Sequence, residues 1–303
     1  NWDLYFIAGQ KRIARGGDVS WPDEFKLDDL RQGPLGDCFL VAAIGSMVAH
    51  RPYEVAEVIK PKCNGGFIIT LPQVDPFELH PLTQAELVLS STSSGEGVWL
   101  AALEQAYGKF REQQKGSIDP EGTDMIATGG QPGSAMSLLT GHRYKRVFIA
   151  TTAERREQDE AKMLPVLRQS LVDAMKNDRL ITATLTPPNL TADIPPTDLS
   201  AAAHPTSQAR QPLTADMLPR VPPDISLRHA YAVVDFDPRT DMLEMWNPHG
   251  QMFKPKGPDG LQYGYATEHG RFHVPLKEAY SFFTSFYFET TQPATPPATK
   301  ASK

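Results

Sequence analysis

A chain of 303 residues with a 40% apolar share can bury the core of one large domain or of two lobes sharing an interface. Its formal charge of -6 comes without any basic block, which speaks against nucleic acid as a partner, and no apolar run reaches membrane-spanning length. The opening NWDLYFIAGQKR lacks the order of a signal peptide. Two cysteines, Cys38 and Cys63, are too few for a disulfide framework or a cysteine-rich zinc site, so reducing, cytoplasmic surroundings are expected.

To about Leu30 the chain mixes aromatics with turn formers and reads as irregular. From Cys38 to about Ala49 apolar residues recur at helical spacing, which predicts a helix beginning at or just before the cysteine. GVWLAALEQAYGKF, residues 97–110, predicts another, with Trp99, Leu103, Ala106 and Phe110 on one face. IATGGQPGSAMSLLTG, residues 126–141, opens on a glycine pair able to hinge two lobes and runs into a short helix. Within residues 154–178 a further helix is expected from Leu164 onward, and LITATLTPP reads as a strand. Residues 187–225 are rich in Pro, Ala, Ser and Thr and lack an apolar period, as in a long mobile loop. HAYAVVDFD and MLEMWNPHG predict a hairpin across the turn PRTD. GRFHVPLKEAYSFFTSFYFET adds a short helix and a last strand before a polar, Pro-rich tail.

At the first turn of its helix, Cys38 feels the positive end of the macrodipole, which favours thiolate. The turn Gly33-Pro34-Leu35-Gly36 leaves backbone N–H groups free beside it, and Gln32 carries an amide able to donate to an oxyanion. This layout serves acyl transfer; a buried structural thiol is the plain alternative. A thiolate nucleophile needs an imidazole base and a group that fixes the tautomer of that base. Of the eight histidines, His229 at the head of HAYAVVDF stands out, together with Asn247 at the end of LEMWN. On antiparallel neighbours the start of one strand lies opposite the end of the next. Asn247 can then accept from one ring nitrogen of His229 while the other faces Cys38. Taken singly, His229 also reads as a strand-end histidine, and Asn247 as a turn former before Pro248.

QGPLGDCFL, GEGVWLAALEQAYGKF, GGQPGSAMSLLTG, RHAYAVVDF, WNPHG and GRFHVPLKEAYSFF follow one another from about residue 20 to 290. In this order and spacing the chain resembles the calpain family of papain-like cysteine proteases. The resemblance implies an α+β, papain-like fold of two lobes. Residues 1–129 would form a mainly helical lobe with the cysteine, and 130–290 a mainly antiparallel sheet lobe with the His and Asn. Residues 291–303 would be a disordered tail. By position, Cys38 matches the nucleophile, Gln32 the oxyanion-hole side chain, His229 the general base and Asn247 its orienting partner. Two positions depart: Phe39 stands where the family has Trp, and His249 stands where the family has a Trp that shields the Asn–His pair from water. The family's protease core also holds one calcium in each lobe. Asp29 and Glu104 match acidic ligand positions in the first lobe, while in the second Arg271 falls about where a ligand is expected, so one calcium at most is implied.

The expected activity is therefore cysteine-type endopeptidase action on protein or peptide substrates, by a module of a longer parent chain. A catalytically inactive protein-binding module is one alternative, and a transglutaminase-like acyl transferase using the same Cys and His chemistry is another. The Pro-rich loop, ending just before His229, can cover the cleft, occupy it, be cut by the enzyme, or serve as inert linker.

Overall fold

The computed structural model describes residues 21–72, 74–93, 97–115, 129–150, 152–186 and 221–293. Most of the Pro-rich segment, the first 20 residues and the end of the tail therefore lie outside the described residues. The helices are α1 (Cys38–His50), α2 (Val55–Val58), α3 (Gln84–Leu89), α4 (Trp99–Lys115), α5 (Pro132–Thr140), α6 (Ala153–Lys176) and α7 (Leu276–Phe282). Strands β1 (Ile59–Pro61), β2 (Phe67–Ile69) and β3 (Phe77–Leu79) form a small antiparallel sheet in that order. The larger sheet comprises β4 (His142–Phe148), β5 (Ile181–Leu185), β6 (His229–Asp237), β7 (Met242–Trp246), β8 (Arg271–Pro275) and β9 (Ser285–Pro293). Its order is β4-β9-β5-β6-β7-β8, with every neighbouring pair antiparallel. The expected α+β class is what the chain adopts.

Alternation along the inner strands explains how this sheet is covered on both sides. Ala230 and Ala232 of β6 and Trp246 of β7 join one apolar core with α1, α4 and α5. Tyr231, Val233 and Met245, the residues in between, join a second core with α6 and α7. Helix α1 is buried from Phe39 to Val48, as expected of a helix that is apolar all round. It packs on β6 and β5 on one side and on α5 on another.

One contact sets the depth at which α1 lies. A Cβ on Gly45 would meet Trp246 Cζ3 at 2.5 Å. Trp246 is fully buried, donates Nε1–H to His269 O at 3.1 Å, and immediately precedes Asn247. Alanine is the better helix former by about 1 kcal/mol, but overpacking against an immovable ring costs about 1–3 kcal/mol. Gly45→Ala is accordingly expected to lower the denaturant midpoint at unchanged m-value, a net loss of about 1–2 kcal/mol.

Several boundaries differ from the sequence expectation. Helix α6 begins at Ala153 rather than Leu164, and Pro165 lies inside it. Its first half is anchored by a buried arginine: Arg156 donates Nη1–H to Tyr280 O at 2.6 Å. Helix α4 runs to Lys115, and β9 continues to Pro293, pairing there with His142, so the chain stays in the sheet beyond residue 290. Strand β4, helix α3 and the small sheet were not expected.

Candidate active site

Cys38 opens α1, His229 opens β6, and Asn247 follows the last residue of β7. Packing of α1 across β6 brings the first two together: the Ala230 N–H donates to the Cys38 sulfur, one residue along from His229. His229 is 6% exposed, and its Nε2 lies 2.8 Å from Asn247 Oδ1. The same oxygen accepts the His249 backbone N–H at 3.1 Å, so this end of the Asn247 amide is an acceptor facing two donors. Nε2 of His229 must then carry the proton, and Nδ1 of the neutral ring is the free base. Of the residues singled out from the sequence, His229 and Asn247 are hydrogen-bonded, and Cys38 lies against Ala230, the strand residue next to His229.

Charge at the pair departs from the expectation of a dipole-stabilised thiolate. Burial pushes the Cys38 thiol up to about 11, the Ala230 N–H pulls it down, and the Asp37 carboxylate raises it again. Burial lowers His229 to about 3, the neighbouring His249 lowers it further, and Asn247 opposes both. A helix N-terminus contributes only about half a charge, and loss of water outweighs it here. Burial thus favours the uncharged form of each group, thiol for Cys38 and neutral imidazole for His229.

Gln32 sits in the loop ahead of Cys38, but its amide points within that loop. Nε2 donates to Leu35 O at 2.8 Å and to Asp37 Oδ1 at 3.1 Å. Its backbone N–H donates to Pro248 O at 2.7 Å, tying this loop to the turn that carries Asn247. Behind Gln32 lies a network whose carboxylates the sequence reading did not connect. Asp37 and Glu104 are both fully buried and hydrogen-bonded to each other. Glu104 also accepts from the Ser91 N–H at 2.8 Å and from the Ser91 hydroxyl, which in turn accepts the Gly33 N–H at 3.1 Å. Burial and the Asp37 charge push the Glu104 carboxyl well up. The α1 N-cap, Asp37, thus uses its side chain on Gln32 and Glu104 rather than on its own helix.

This arrangement does not fit calcium at Glu104. Its carboxyl is fully buried and its oxygens are already taken by Ser91 and Asp37, which leaves none turned outward to a hard dication. Asp29 ends a single turn of 3-10 helix, Leu27–Asp29, and among the described residues no three His, Cys, Asp or Glu side chains gather as a metal site. Arg271, at the position expected for a ligand in the second half, instead bridges Asp28 Oδ1 at 2.5 Å and Glu244 Oε1 at 2.7 Å. The glycine pair adjoins the cysteine: Gly129 has φ +76° and faces open space, and a Cβ on Gly130 would meet the Phe39 ring at 2.6 Å.

His249 stacks directly on the base, with ring centroids 4.1 Å apart and planes inclined by 21°. The β6–β7 register ends with Ala232 opposite Trp246, and His249 lies in the turn that follows, where the Gly250 N–H donates to Asn247 O at 2.9 Å. That register includes a bulge between Val233 and Asp235, which shifts the pairing by one residue and is not visible from the hairpin's sequence.

Comparison with known proteins gives the family. A family model described as calpain family cysteine protease matches residues 18–258. Over 116 residues the chain is 32% identical to the calpain-1 catalytic subunit of Homo sapiens, of Macaca fascicularis and of Pongo abelii. That alignment covers 34% of this chain and spans 16% of each relative's length.

Proposed function

Since the chain belongs to the calpain family of cysteine proteases, we propose that it is an endopeptidase that hydrolyses peptide bonds through an acyl-enzyme on Cys38. The observation that supports this reading is the tautomer: Asn247 holds the proton of His229 on Nε2 and leaves Nδ1 as the free base, one residue from the Ala230 N–H that donates to the Cys38 sulfur. The thiol gives its proton to Nδ1 as sulfur attacks the carbonyl carbon. His229 then delivers that proton to the leaving amine, and water, deprotonated by the same ring, releases the acid. The Cys38 N–H, in a first helical turn without intrahelical acceptors, and the Gln32 amide, after exchanging one of its loop bonds, stabilise the oxyanion. No step is routed through calcium.

The test pairs casein cleavage with labelling by a thiol-reactive epoxide. In a Cys63→Ser background, which removes the exposed second thiol, the protein is expected to cleave casein and to take one label at Cys38, and Cys38→Ala to do neither while keeping its circular dichroism. An unlabelled, inactive protein in that background would favour the protein-binding module. Transamidated product on adding a primary amine would favour the acyl transferase.

A further inference from the structure

His249 has no part in the steps above, yet it is the side chain laid face to face on the base. Its ring lies 4.1 Å from that of His229, and its backbone N–H shares Asn247 Oδ1 with His229 Nε2. Its carbonyl accepts from Arg31 Nε at 3.0 Å, which ties the backbone of this turn to the loop before α1. We propose that His249 is a positioning residue for the base: its stacked ring decides when His229 can accept the Cys38 proton and so fixes the acidic edge of the reaction's pH range. This rests on the reading of Cys38 and His229 as the reacting pair.

Two imidazoles at this separation do not readily carry charge together, because repulsion between like charges is strong where water is largely excluded. The groups facing them come from four elements. His249 meets Asp224 from the segment before β6 and Arg31 from the loop before α1, and burial lowers it, with Asp224 opposing and Arg31 assisting. His229 meets Asn247 after β7 and, on its own strand β6, Tyr231 edge-on at 5.0 Å. His249 is the less buried ring and has Asp224 facing it to receive a positive charge, so acidification protonates His249 first. An imidazolium then lies flat against the ring that must become one as Cys38 ionises. Proton transfer is opposed, and cleavage falls as His249 takes up its proton rather than as His229 does.

His249→Phe keeps a flat ring and removes the charge. The acid limb of kcat/KM is expected to move at least about one pH unit lower in this variant. In the wild type that limb should coincide with the His249 titration followed by NMR. A merely structural His249 would change the rate without moving the limb, and an unmoved limb overturns the proposal. An arm independent of activity uses Cys38→Ala as background. Adding His249→Phe should raise the NMR titration midpoint of His229 by about one unit, and an unchanged midpoint is equally fatal. Should the phenylalanine variant fail to fold, His249→Gln carries the same expectation in both measurements. A wild type that cleaves nothing would defeat the protease reading, whereas the NMR arm would still judge the coupling of the two rings.

Discussion

His229→Ala is expected to cut kcat/KM for peptide cleavage by about 10⁴-fold at neutral pH, with KM little changed. The size follows from the state of the thiol. With Cys38 raised to about 11, only about one molecule in 10⁴ carries a thiolate at pH 7 unless a base takes the proton during attack. The variant should therefore show a signature in addition to a loss. Its residual rate should climb about tenfold per pH unit up to the thiol's own titration, where wild type is flat. Asn247→Ala is expected to cost less, about 10- to 100-fold, since the imidazole stays in place and loses the partner that fixes its tautomer. The double variant should be little worse than His229→Ala, because Asn247 acts through the ring. Single-turnover kinetics from pH 6 to 10 check all three.

Glu289→Ala is expected to give the largest stability loss, about 3–5 kcal/mol, lowering Tm by about 10 °C. This carboxylate on β9 is 2% exposed. It accepts from Arg51 Nη2 at 2.8 Å on both oxygens, from His142 Nδ1 at 2.7 Å, and from the Leu180 N–H at 2.9 Å. It thereby fastens the end of α1 to β4, β5 and β9 at once. Removing it strands the Arg51 guanidinium, whose side chain is 13% exposed, with only Glu54 at 3.2 Å in partial compensation. Burial acts to raise the Glu289 carboxyl, but the bonds from Arg51, His142 and Leu180 outweigh it and hold the group below its ordinary value. A depressed native value means that this stabilisation is complete above the unfolded-state value of about 4.3 and is lost as pH falls through the native one. Melts of wild type and variant should thus differ most near neutrality and converge in acid.

The parts of this molecule legible in its sequence are those where apolar spacing coincides with burial. Helix α1 and the β6–β7 hairpin could be read in that way, and the hairpin's ends placed His229 beside Asn247. What escaped was held by other forces. The first half of α6 shows no apolar stripe because a buried arginine, Arg156, anchors it, and Pro165 mimics a helix start. Strand β4 is an edge rich in His, Arg and Lys, a composition that guards edges and hides them from hydrophobic patterning. The strands of the small sheet, three residues each, are too short to show a period. At the site itself the dipole of α1 was readable, but the loss of solvent that overrides it was not, since that depends on β6 arriving from nearly 200 positions away. The Asp37–Glu104 contact and the stack of His249 on His229 likewise exist only once distant segments meet.

Leu185 and His229 pair across adjacent strands, so the two ends of the stretch between them are held about 5 Å apart by the sheet alone. Any length of polypeptide can be inserted at such a port, because closure entropy grows only with the logarithm of length, about 0.6 kcal/mol for each doubling. The base stands just downstream of that port, held by its ladder to β5 and by Asn247. Evolution, or an engineer splicing in a sensor or a targeting module, can lengthen the chain there while the imidazole keeps its place.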